Sequence, residues 1–186
     1  ATSYAGSALF DQVYSLSLKS VKLLLKDPQT KTAAHKLGDQ LLATLRAETL
    51  VRPKLATNFL YQAADLHATL GRHNDTMKIY REIGDRFGTN DGLRGRMASW
   101  YKAHEKRNDA RRIYSEFDDI VAGQNAIAGM FLEEDKIMEA IDVYRHLLEI
   151  DGDHSGDHFW AIASCYEKLS DWKMAIASYR QVDRFP

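Results

Sequence analysis

Phe159-Trp160-Ala161-Ile162-Ala163-Ser164-Cys165-Tyr166, followed by Ala175-Ile176-Ala177-Ser178-Tyr179, is the stretch on which the fold turns. Phe159, Ile162, Ala163 and Tyr166 stand at i, i+3, i+4 and i+7, the spacing of one helix face. After Ser170-Asp171, which reads as an N-cap pair, Met174, Ala175, Ser178, Tyr179 and Val182 repeat that spacing. The pattern predicts two helices joined by a tight turn. A small residue where they cross lets the backbones approach, and the aromatics fill the wedge against the next pair.

The same register recurs upstream. Ala163 precedes Tyr179 by 16 residues, as Ala64 precedes Tyr80, Ala98 precedes Tyr114 and Ala128 precedes Tyr144. Successive units are offset by 34, 30 and 35 residues. Three residues after each alanine come His67, Tyr101, Phe131 and Tyr166. Four before each tyrosine come Thr76, Ala110, Ala140 and Ala175, and three after it come Ile83, Phe117, Leu147 and Val182. So short a helix pair cannot bury its apolar face alone, so neighbours must stack.

These columns resemble the tetratricopeptide repeat, W-x2-L-G-x2-Y, then A-x3-F, then P. Residues 159–186 and 125–152 match well, residues 60–88 and 94–120 more loosely, so about two-thirds of the chain is covered. The resemblance implies an all-α, right-handed αα superhelix, a solenoid of antiparallel helix pairs with about ten helices. Four units are expected at about 57–90, 91–120, 121–155 and 156–186. Residues 1–56 read as a diverged N-terminal helix pair, broken at Asp27-Pro28 and closed by Arg52-Pro53. Three departures stand out: Thr76 for alanine, Arg94 and Gln124 for the first-helix aromatic, and one unit of only 30 residues. They imply irregular curvature between the second and third units.

Composition bounds the function. Across 186 residues the net charge is −1, without the basic excess of a general nucleic-acid binder, so no direct nucleic-acid binding is expected. With 3 prolines and 11 glycines the chain suits long helices more than a many-stranded sandwich. The one cysteine, Cys165, excludes an intrachain disulfide or a Cys-based zinc site and reads as a packing residue. Apolar runs such as Val21–Leu25 are too short and too charged to span a bilayer. The chain starts Ala1-Thr2-Ser3 without Met, and it stops at Arg184-Phe185-Pro186 on an apolar stripe without a polar cap. The expectation is a processed or excised segment of a longer array, or an end covered by another chain, with self-association there.

No phosphate loop, nucleophile elbow or H-E-x-x-H motif is present, so neither a catalytic residue nor a cofactor is expected. The run Asp151-Gly152-Asp153-His154-Ser155-Gly156-Asp157-His158 opens like a calcium loop. Its twelfth position is Ile162, where a bidentate acid is required, so it reads as an inter-repeat turn and no metal is expected. His67 reads as a packing histidine near a turn with His73, and Glu133-Glu134-Asp135 as a solvated turn tip.

In the tetratricopeptide family the first helix of each pair lines a concave groove. The register assigns Asn58, Tyr61, Asp65, Ser99, Lys102, Asn125, Trp160 and Glu167 to it, with Tyr61 and Trp160 as aromatic anchors. The resemblance therefore implies a non-enzymatic scaffold that binds a protein or peptide partner during assembly of a larger complex. The Lys-plus-Asn clamp of chaperone-tail readers is not matched. Trp100-Tyr101, Glu105 and Ala110-Arg111 also resemble the half-a-TPR variant of RNA-processing scaffolds. A helical positioning domain of a larger enzyme is the third reading. Residues 180–186 resemble repeat endings of bacterial proteins that include envelope assembly factors, which points to a periplasmic or other extracytoplasmic site.

Overall fold

A computed structural model describes residues 2–182, with side chains from Leu9 onward. Residues 183–186, on which the reading of an uncapped end partly rests, lie outside the described residues. The chain forms two compact units, Ala1–Thr89 and Asn90–Pro186. Among the described residues every regular element is helical.

The first unit holds α1 (Thr2–Leu24), α2 (Lys31–Val51), α3 (Ala56–Thr69) and α4 (His73–Phe87). Pro53 stops α2, as expected from its missing N–H, and a single 3-10 turn leads into α3. Each helix packs on the next. The Tyr14 hydroxyl of α1 donates to the Gln62 carbonyl of α3 at 3.0 Å, and Phe10 meets Phe59 edge-on at 5.3 Å. Burial, with the Asp65 charge adding to it, pushes the Tyr14 phenol up to about 12.

The second unit holds α5 (Asp91–Ala103), α6 (Arg107–Ser115), α7 (Ile120–Glu133), α8 (Ile137–Ile150), α9 (Ser155–Lys168) and α10 (Trp172–Val182). Ala98, Ala110, Ile113 and Met130 form one buried cluster. Ile141, Ile162, Cys165, Tyr166 and Ala175 belong to another. Burial also pushes the Cys165 thiol up, so it stays protonated at neutral pH and serves as a small apolar side chain.

The predicted small-residue columns are the crossing points. Ala64, Ala98, Ala128, Ala163, Thr76, Ala110, Ala140 and Ala175 are all buried. Thr76 fits because its hydroxyl lies 3.3 Å from the Arg72 carbonyl and 3.4 Å from that of Ala64, so the buried oxygen is not orphaned.

A backbone feature follows the same register. Gly71, Glu105, Asp135 and Ser170 close the turn inside each of the four pairs, with φ of 73°, 60°, 58° and 57°. The next residue in every turn, Arg72, Lys106, Lys136 or Asp171, donates its N–H five residues back, to His67, Tyr101, Phe131 or Tyr166, at 2.9 Å. Asp171 then caps α10 by accepting from the Met174 N–H at 3.1 Å. The α1–α2 turn is built otherwise, from Thr30 Oγ1 donating to the Leu24 carbonyl at 2.7 Å and Gln29 N–H donating to Asp27.

The shortened unit is tied by polar groups. Arg94 donates to Asp91 and to Asp118, each at 2.8 Å, and Asp91 accepts from the Asp118 and Asp119 N–H groups at 2.9 Å. Gly123 allows the close approach that follows: a Cβ there would lie 2.3 Å from the Tyr114 carbonyl oxygen.

Candidate interaction surface

The eight assigned residues all fall on first helices: Asn58, Tyr61 and Asp65 on α3, Ser99 and Lys102 on α5, Asn125 on α7, Trp160 and Glu167 on α9. At 3.6 residues per turn, Asn58, Tyr61 and Asp65 share one face of α3, and Trp160 and Glu167 one face of α9. Asn58, Asp65, Ser99, Asn125 and Glu167 are exposed, while Tyr61 and Lys102 are half-buried. Trp160 is 58% exposed, unusual for an indole. Ser164, one turn along the same face, donates to the Trp160 carbonyl at 3.0 Å.

Lys102 is already engaged. Its Nζ lies 2.6 Å from Glu133 and ties α5 to α7. Of the Glu133-Glu134-Asp135 turn, Glu133 and Asp135 are exposed, as expected of a solvated tip, and Glu134 is not. Glu134 is only 11% exposed, salt-bridged to Arg111 and to Lys136, the latter at 2.6 Å. Hydrogen bonds from Lys136 and Arg111 hold its carboxyl below the usual carboxylate range. The preceding unit supplies this cover: Arg111 also stacks 4.8 Å over Phe131, and Arg107 approaches Glu133 at 3.8 Å. The side chain that suggested the half-a-TPR variant is thus spent on packing between neighbouring pairs.

At the α8–α9 turn Asp151 accepts from His154 Nδ1 at 2.8 Å and from His158 Nε2 at 2.9 Å. These bonds, His154 first, lower the Asp151 carboxyl, and Asp151 in turn raises His154 above its ordinary value. No group of three or more metal-ligating side chains converges among the described residues. His158 is buried, which the sequence reading missed. The column before the first-helix aromatic, Phe59, Leu93, Gly123 and His158, is buried throughout and carries the signal. Trp172 was also missed; it is 60% exposed, with Ile176 one turn on at 53%.

No described helix is long and apolar enough to cross a membrane. No family model and no curated protein matches the chain. Solved structures do. A crystal structure of MamA is 12% identical, with 85% of this chain and 94% of that one covered at a TM-score of 0.50. The putative kinesin light chain of Podosopora anserina, described as nearly identical TPR-like repeats, is 16% identical, with 90% and 94% covered and a TM-score of 0.50. Identity this low speaks for fold alone. Taken with the recurring alanine crossings and left-handed turns, it shows that the chain has the tetratricopeptide-like fold of stacked antiparallel helix pairs.

Proposed function

We propose that the protein is a non-enzymatic interaction scaffold. In this reading the first-helix faces hold a peptide or helix of a protein partner in the assembly of a larger complex. The observation that carries it is Trp160, an exposed indole on the face of α9 that also presents Glu167. An aromatic left in water at this cost is a natural anchor, since truncating such anchors commonly costs about 2 kcal/mol or more of binding. Asn58, Tyr61 and Asp65 are the corresponding set on α3 of the first unit; Ser99 and Lys102 on α5 and Asn125 on α7 belong with Trp160 to the second. A ligand carboxylate at Lys102 has to compete with Glu133, which argues for an apolar rather than an acidic-tail ligand.

The test is affinity capture with the full chain, followed by titration of the captured partner against variants. Trp160→Ala is expected to weaken binding by about 30-fold and Tyr61→Ala by a smaller factor, with helix content unchanged. Binding that survives both substitutions removes the first-helix faces as the site.

A further inference from the structure

The first unit has a cavity where the later pairs have a ring. Tyr101, Phe131 and Tyr166 fill the wedge beside their second helices. In the last pair the preceding helix braces that ring: Arg145 donates to the Tyr166 hydroxyl at 2.7 Å, across 21 positions of sequence. Arg46, on the helix before α3, and His67 have the same separation, 21 positions. The imidazole is smaller than a phenol and carries no hydroxyl, and Arg46 donates to Glu82 at 2.7 Å. Beside them lies a half-open pocket of about 330 Å³ between α2, α3 and α4.

Its chemistry is specific. Leu42, Ala63 and Ile79 supply apolar walls, and His67 lines it. His67 Nδ1 is buried without a hydrogen-bond partner. Burial holds the imidazole pKa below its ordinary 6.5, so at neutral pH the ring is uncharged; with Nδ1 closed off by the protein, Nε2 is the nitrogen left for a ligand. The charges at the rim are already matched, Arg46 with Glu82 and Lys78 with Asp75 at 2.9 Å. A neutral ligand is favoured over an anion. On the α3 wheel His67 lies about half a turn from Asn58 and Asp65, so the cavity opens away from the proposed partner face.

We propose that this cavity binds a phenol ring, either a small phenol or the tyrosyl side chain of a partner, which completes the wedge as Tyr166 does in the last pair. The ring packs on Leu42, Ala63 and Ile79, and its hydroxyl bonds with the His67 imidazole. The inference does not depend on the scaffold reading, because it concerns a different face.

The experiment is titration of the whole chain by amide-correlation NMR with p-cresol, toluene and N-acetyl-tyrosinamide. Saturable shifts at Ala63, His67 and Ile79 are expected with p-cresol in the millimolar range, with toluene about tenfold weaker for lack of the hydroxyl. N-acetyl-tyrosinamide binding as well as p-cresol marks a tyrosyl side chain as the source; p-cresol alone marks a free phenol. His67→Tyr fills the cavity from within. It is expected to abolish the p-cresol shifts and raise Tm by about 2–4 °C. Leu42→Phe narrows the cavity from α2 and is expected to weaken p-cresol at least tenfold. No saturable shift with p-cresol, toluene binding equally well, or p-cresol binding unchanged in both variants overturns the proposal.

Discussion

Gly71, Glu105, Asp135 and Ser170 occupy one backbone position in four successive turns, all at positive φ. A residue with a Cβ costs about 1 kcal/mol more than glycine there. Ser170→Gly is therefore expected to stabilise the chain by about 0.5 kcal/mol, the gain being partly offset by the looser unfolded state. Gly71→Ala is expected to destabilise it by about 1 kcal/mol, although no atom lies within 4 Å of the added Cβ. Urea unfolding of the two variants checks both signs. The position was invisible in the sequence, since Gly, Glu, Asp and Ser share no chemistry that a column of letters could display. Thr76 and Arg94 were visible as departures, but their partners were not. Thr76 is answered by backbone carbonyls, and Arg94 by Asp118, 24 positions away.

Among the elements, α7 meets the α6 backbone closely at Gly123, and the two glycines of α7 separate the consequences. A Cβ on Gly123 meets the Tyr114 carbonyl, backbone that cannot rotate aside, whereas Gly129 on the same helix has nothing within 4 Å. Gly123→Ala is expected to cost about 2 kcal/mol or more, and Gly129→Ala to gain about 0.5–1 kcal/mol from helix propensity. Thermal unfolding of the pair tests the assignment, and equal effects would refute it. Helix placement was legible because the alanine and aromatic columns repeat at helical spacing and Pro53 stops α2 by a local rule. Glu134 alone in its turn was misread, because its cover, Arg111, comes from the preceding pair. Of the candidate surface, Trp160 was legible as a first-helix aromatic; the Lys102–Glu133 bridge, which joins two units, was not.

On the scale of the whole molecule, contacts within each compact unit run chiefly from one helix to its neighbour in sequence. Such an array transmits a perturbation by nearest neighbours. Hydrogen exchange on the Gly123→Ala chain is expected to speed up most in α6 and α7, less in α9, and least in α3. Uniform acceleration across both units would mean a single cooperative body instead. The turn at Gly71, Glu105, Asp135 and Ser170 has a further consequence. Its rule is written in backbone geometry and one N–H bond, so the turn needs no particular side-chain chemistry, only tolerance of a positive φ. One shape of turn is thus written in four different spellings along a single chain.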